Sequence, residues 1–298
     1  MVALTATRYG KDNIRLLKVE RHPSNPKLQY VYEFTIRVML EGDFDIAYTE
    51  ADNAPIVTTD SMKNTTYILA KKNPVSPPEL FASILGTHFV TTYSHVHKSF
   101  VHIVQHRWTR YSVDGKPHEH SFIRDGNEVR IVDAEVEESG KITISAGISD
   151  LLVLKSTGSA FYGYVQDKYT TLPETRDRIM STSVDATWNY DSFENLDAVR
   201  NSLGALESGY QSAREITLST FATHDSASVQ ATLYLMGKRI IEVNKSVNNV
   251  SYSLPNKHYF DIDLSWFEGL KNTGADAQVF APQSNPNGLI TASISRTD

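Results

Sequence analysis

Apolar and polar residues alternate through residues 30–40. Phe34, Ile36, Val38 and Leu40 share one face, and Glu33, Thr35 and Arg37 share the other. A period of two marks a strand buried on one side only. The same reading predicts a shorter strand over 13–19 and another over 100–111, where Val101 and Ile103 oppose His102, Val104 and His106. Residues 133–145 alternate on both sides of Glu138-Ser139-Gly140-Lys141, a tight-turn sequence. Between these strands stands Ser76-Pro77-Pro78-Glu79. Ser76 suits a helix N-cap, Pro77 the first helical position and Glu79 the end of a capping box. Phe81, Ile84, Leu85, His88 and Phe89 then fall on one helical stripe.

The second half follows a similar order. Strands are predicted over 142–154 and 183–190, then a helical region over 210–243 with Val229, Leu233, Met236, Ile240 and Val243 as its apolar seam. Asp225 or Ser226 can cap or interrupt that region. Strands return over 250–264 and over 289–295, the latter after the turn Pro286-Asn287-Gly288. Each half therefore reads strand–strand–helix–strand–strand, which predicts an α+β fold of antiparallel sheets with helices on one face. The expected modules are 1–139 and 140–298. Long strands with one polar face also suggest that sheets of several subunits join.

Composition narrows the function. The 298 residues hold 29 Lys+Arg against 35 Asp+Glu, a net charge of −6, with no basic cluster to grip nucleic acid or an anionic membrane. No apolar run approaches the ~20 residues that span a bilayer. The first residues lack the basic and apolar regions of a secretory signal, so an intracellular, soluble protein is expected and the sequons at Asn64, Asn244 and Asn249 carry no meaning. The absence of cysteine excludes disulfides, thiolate nucleophiles, Cys-ligated zinc and iron–sulfur clusters. Dinucleotide, P-loop, serine-hydrolase and His-Glu-x-x-His motifs are missing as well.

Several polar residues are candidates for chemistry. His95, His97, His102, His106, His118 and His120 crowd one stretch, and His-x-His pairs on strands turn both rings to one face, as a zinc or iron site requires. Rings on the polar faces of strands explain the same pattern more simply. Lys11 follows Gly10 at the mouth of the first strand, and Thr58-Thr59-Asp60 reads as a loop or helix start. Arg178, Gln230 and Asn256-Lys257-His258 are, one by one, ordinary surface or flanking residues.

Together, however, these segments resemble the urate oxidase (uricase) family. The matching stretches are Tyr9-Gly-Lys-Asp-Asn13, Thr59-Asp-Ser-Met-Lys-Asn-Thr65 and Leu154-Lys-Ser-Thr-Gly158. Tyr169-Thr-Thr-Leu172 leading to Asp177-Arg178, Ser228-Val-Gln-Ala231, Ser253-Leu-Pro-Asn-Lys-His258 and Pro286-Asn-Gly-Leu-Ile290 complete them. They keep the family's order over nearly the whole chain and are most similar to its fungal branch.

The resemblance implies the tunnelling fold, with two tandem modules per chain. It further implies a homotetramer of paired sheets closed into β-barrels, and active sites between subunits. It implies oxidation of urate by O₂ to 5-hydroxyisourate and hydrogen peroxide, with no metal and no organic cofactor. In this sequence it casts Arg178 and Gln230 as the clamp on urate and Phe161 as the ring stacked beneath it. Val229 then offers its backbone and Leu172 walls the pocket. Thr59 and Asp60 of a neighbouring subunit meet the opposite edge, partly through backbone N–H groups. Lys11, Thr59 and His258 resemble a proton relay, and Asn256 with Thr59 the perch for O₂ and then water. Two features depart from the pattern. Peroxisomal relatives end in Ser-Lys-Leu, whereas this chain ends Ser295-Arg-Thr-Asp298, so a cytoplasmic location is the other expectation. Arg176 adds a second cation before the clamp. Two rival readings are a zinc-dependent tunnelling-fold pterin or purine hydrolase using the histidines, and a non-catalytic purine-binding scaffold.

Overall fold

The computed structural model describes residues 2–283 and 285–297; Met1, Ser284 and Asp298, at positions that include both chain ends, lie outside them. Its centre is an eight-stranded antiparallel sheet, here numbered in chain order with the order β1-β2-β3-β6-β7-β8-β9-β12. The strands are β1 (Tyr9–His22), β2 (Asn25–Gly42), β3 (Val96–His106), β6 (Val129–Glu137), β7 (Ile142–Lys155), β8 (Met180–Tyr190), β9 (Val247–Pro255) and β12 (Leu289–Ser295). Two hairpins stand apart, β4 (Thr109–Val113) with β5 (Lys116–Ile123) and β10 (His258–Asp261) with β11 (Phe280–Gln283).

Helices connect the second strand of each four-strand run to the third. In the first run these are α2 (Thr59–Lys72) and α3 (Pro78–Thr92), after the short α1 (Asp45–Thr49). In the second they are α5 (Leu203–Thr223) and α6 (Val229–Val243), after α4 (Leu196–Asn201). The alternation in β2 has the expected result: Phe34, Ile36, Val38 and Leu40 are fully buried against the helices. Burying one such side chain stabilises by about 1.5–3 kcal/mol, so this stripe fixes which face the helices cover. β12 matches its expected span residue for residue, and 138–141 turns β6 into β7.

Six sequence expectations change. Helix α3 starts one residue later, with Pro77 as N-cap, Pro78 in the first turn and no side-chain cap. Glu79 closes no capping box; it is buried and accepts two hydrogen bonds from Arg130, at 2.8 and 2.9 Å. A buried carboxylate needs a cation more than an exposed helix end needs a cap. The strand over 100–111 is two strands. Arg107 turns its guanidinium to Asp125 and Glu128, each at 2.8 Å, and Trp108 Nε1 donates to Glu33 at 2.8 Å, which breaks the ladder. The helix over 210–243 is also two, because the Ser226 backbone pairs with Gly158 and Ala160 and Ser228 then caps α6. Its last seam residue, Val243, is exposed. The strand over 250–264 ends at Pro255, which has no N–H to donate, and β10 pairs elsewhere.

A buried ionic cluster ties the two four-strand runs. Arg130 on β6 also donates to Glu207 on α5 at 2.7 Å, and Arg214 on α5 forks onto Glu128 at 2.6 and 2.8 Å. Removing one partner strands a buried charge. We expect Arg130→Ala to cost about 3–5 kcal/mol in urea unfolding, and the joint replacement of Arg130, Glu79 and Glu207 by apolar residues of similar size to cost less. A single variant as stable as wild type would contradict this.

Candidate active site

The first cluster stands on β1 and α2. Gly10 passes so close to β2 that a Cβ there would fall 1.9 Å from the Val38 carbonyl oxygen. The chain then bulges between Lys11 and Ile14, with Asn13 at φ 55°. Thr58 caps α2 by accepting the Ser61 N–H at 3.1 Å. The N–H groups of Thr59 and Asp60 are thereby left without helical acceptors, as first-turn donors aimed out of the helix end. Asp60 accepts from Lys63 and from Asn64 (2.9 Å). The Lys63 ammonium, with a further contribution from nearby Lys11, holds the Asp60 carboxyl below its usual range.

The second cluster lies at the β7–β8 connection and the start of α6. Residues 158–161 form the middle of a three-stranded ribbon. On one side Ser226 N–H donates to Gly158 O (3.0 Å) and Ala160 N–H donates to Ser226 O (2.7 Å). On the other, Arg178 N–H donates to Ser159 O (2.8 Å), and Phe161 and Thr175 exchange bonds of 2.8 and 3.0 Å. This pairing puts the Arg178 guanidinium 5.0 Å from the Phe161 ring centroid. Arg178 is half-buried, and among the described residues its guanidinium donates to no carboxylate or carbonyl. Burial lowers its pKa, and only the nearby Tyr164 phenol works against that; no carboxylate does. Arg107, Arg110, Arg130 and Arg214 all donate to carboxylates or carbonyls, whereas Arg178 presents a planar fork of the kind that suits a planar anion.

Val229 and Gln230 open α6. Ser228 caps the helix by accepting the Ala231 N–H (3.2 Å), so the Val229 and Gln230 N–H groups are free, as at α2. Val229 is buried; the Gln230 side chain is exposed. Asn256 is fixed by its N–H to Gly288 O at 2.8 Å and by a bridge to Thr182. His258 begins β10, stacked on Phe260. Leu172 is 50% exposed, on the loop whose backbone accepts from Tyr164 Oη at 2.5 Å.

The structure thus brings Lys11, Thr59 and Asp60 together, and separately Phe161, Arg178, Val229 and Gln230, with Asn256 and His258 at the same end. It does not join the two groups within one chain. Register places Lys11 level with Val38, Val101, Ala134 and Ile144 in successive strands. Lys155, at the foot of the second cluster, is eleven residues beyond Ile144, roughly 35 Å along the sheet, and β8 is about 24 Å across from β1. Among the described residues no hydrogen bond links Lys11, Thr59 and His258.

Sequence reasoning missed two supports. Asp177 accepts from Thr157 Oγ1 (2.7 Å) and Gly158 N–H (2.9 Å), which keep its carboxyl below the usual range and lock the turn under Phe161. An Asp facing a Thr-Gly turn is a recognisable acceptor signal. Tyr164 stacks on Phe161 with centroids 4.8 Å apart; an aromatic three residues on was the only hint. Four of the histidines have structural partners instead of each other, while His118 and His120 meet edge to face with ring centroids 4.6 Å apart. His95 bonds Pro55 O (2.7 Å), His102 bonds Asp133 (2.8 Å), His106 bonds Thr35 (2.8 Å), and His97 bridges Glu138 (2.8 Å) and Asp43 (3.0 Å). No three His, Asp or Glu side chains form a metal-holding group among the described residues. No described helix is long and apolar enough to cross a membrane.

The fold is that of a tunnelling-fold protein. A family model described as Uricase matches residues 7–135 and 144–291. The chain is 56% identical to the uricase of Emericella nidulans, over 99% of this chain and 98% of that one. It is 55% identical to that of Aspergillus flavus, over 100% and 98%. The crystal structure of uricase from Arthrobacter globiformis superposes with a TM-score of 0.87 at 37% identity, covering 99% of this chain and 96% of that one. The chain belongs to the uricase family.

One pH effect follows from His97. Its hydrogen bonds to Glu138 and Asp43 raise its folded pKa above the ordinary 6.5. The stabilisation is complete below pH 6.5 and is lost as pH rises through the folded value. The ring is 40% exposed, so the effect is small. We expect Tm to fall over that window, and His97→Gln to flatten this slope; an unchanged slope would contradict the assignment.

Proposed function

We propose that the chain is a urate oxidase that converts urate, O₂ and water to 5-hydroxyisourate and hydrogen peroxide at a site completed by two chains. The observation that carries it is the free, half-buried Arg178 fork beside the Phe161 ring, in a chain of the uricase family. Urate is a flat anion at neutral pH. Its ring lies on Phe161, and one edge meets Arg178 and Gln230 with the Val229 backbone. Leu172 walls that side.

The other edge is met by Thr59 and Asp60 of a second chain. Their free first-turn N–H groups carry the partial positive charge of a helix N-terminus, which favours an anion. Both edges of urate thus meet helix N-termini, α2 from one chain and α6 from the other. The modules 1–139 and 140–298, pairing across the β1 and β12 edges in a homotetramer, provide that meeting. The free edges of the sheet support this, because unpaired strands seek partners.

Lys11, Thr59 and His258 relay a proton away, leaving an electron-rich dianion. The dianion passes electrons one at a time to O₂, the resulting peroxide takes up protons and leaves, and water held by Asn256 and Thr59 adds to the oxidised ring. Both electrons that reduce O₂ come from urate. The protein contributes positioning and proton transfer.

Chelator-treated protein is expected to remove urate absorbance while releasing one peroxide per urate; urate left unconsumed in air would refute the reading. Lys11→Met is expected to lower kcat by about 10²–10⁴-fold with xanthine affinity nearly intact, and unchanged turnover would remove Lys11 from the relay. Arg178→Ala is expected to weaken xanthine binding by about ten- to hundredfold, the worth of a hydrogen bond to a charged group. Equal affinity in calorimetry would refute the clamp.

A further inference from the structure

Beneath the second cluster lies a buried chain of hydroxyls that no step above uses. Ser226 and Thr232 are both fully buried. Ser226 Oγ lies 2.9 Å from Ser228 O, Thr232 Oγ1 lies 2.7 Å from Ser226 Oγ, and His224 Nδ1 lies 3.0 Å from Thr232 Oγ1. Proton counting sets their direction. A carbonyl oxygen has no proton, so Ser226 must donate to Ser228. The short gap between the two hydroxyl oxygens then needs the Thr232 proton. Thr232, its proton committed, must accept from His224, which fixes the ring with hydrogen on Nδ1.

The chain ends at a significant peptide. The Ser228 carbonyl and the Val229 N–H belong to one amide unit, and that N–H is a free first-turn donor of α6. Hydrogen bonds accepted at an amide oxygen draw electron density from its nitrogen and sharpen the N–H as a donor. The backbone of Ser226 meanwhile holds Gly158 and Ala160. One buried residue therefore sets both the stacking floor and the donor at the ligand edge.

We infer that His224, Thr232 and Ser226 are positioning residues that polarise and aim the Val229 N–H at the anionic edge of bound purine. The inference rests on the reading of Val229 as a ligand-facing donor. Its test uses the full-length protein with xanthine as the non-consumed probe and urate as substrate. Ser226→Ala is expected to raise the xanthine Kd and the urate KM about three- to tenfold, the worth of one neutral hydrogen bond, with kcat within about twofold of wild type. Ser226→Thr and Thr232→Ser keep the hydroxyls and are expected to restore affinity, whereas Thr232→Val is not. His224→Asn, which retains an N–H donor, is expected to bind better than His224→Asp, which does not.

Wild-type Kd and KM in Ser226→Ala overturn the inference. So does a fall in kcat alone, which would mean a merely structural role. If wild type itself neither binds xanthine nor consumes urate, the functional reading fails, and the Val229 amide proton shift in ¹⁵N-valine protein decides the network separately. The shift moves in Ser226→Ala if that bond polarises the peptide, and a stationary shift overturns the inference.

Discussion

The ribbon of residues 158–161, bonded on one side to Ser226 and on the other to Thr175 and Arg178, is the interaction on which the site depends. Neither Phe161 nor Arg178 lies in a strand of the main sheet, so the sheet ladder does not fix their spacing. With the ribbon formed, an aromatic face and an unpaired guanidinium stand side by side at 5.0 Å. A half-buried cation without a partner costs stability in the free protein, and a bound anion recovers it. Asp177 tightens the same ribbon from below by accepting from Thr157 and Gly158.

The sheet imposes the second constraint. Strand order is linear from β1 to β12, with Lys11 on one edge strand and the Arg178 cluster at the far end of β7 and β8. Loop movement does not bridge such a span, since β1 is anchored along its length to β2, Tyr67 of α2 bonds Arg15, and Val57 and Asn73 on either side of α2 are held by Tyr9 and Lys18. Chemistry that needs both clusters therefore needs two chains. The capping pattern makes each cluster suitable for an anion by itself: Thr58 and Ser228 each satisfy one first-turn donor and leave two others free.

Much of the fold was legible because one physical signal dominated it. Burial on one face forces a period of two, so β2, β7 and β8 could be read from apolar spacing, whereas the exposed edge strand β12 was read with the help of the turn before it. The signal failed where polar side chains or remote backbone decided the geometry. Glu79 looked like a capping residue, but its partner Arg130 is fifty-one positions away. The break between α5 and α6 depends on Gly158 and Ala160, also far off in sequence. Helix α2 was seen only as a start, since Met62, Thr66 and Ala70 are too sparse a buried stripe to announce it. The candidate site was legible only through resemblance, because Lys11, Arg178, Gln230 and Asn256 have no local pattern, and Ser226 acts through backbone bonds to residues far off in sequence.

The division of the site between chains is tested most directly by complementation. Lys11→Met and Arg178→Ala proteins, each expected to turn over little urate at a concentration well below the KM of the Arg178 variant, are unfolded together in equal amounts and reassembled, and mixed assembly is verified by mass. If each site takes Lys11 from one chain and Arg178 from another, random pairing leaves about a quarter of the sites intact and urate oxidation returns to that level. Verified mixed assemblies that stay as inactive as either parent would contradict the account.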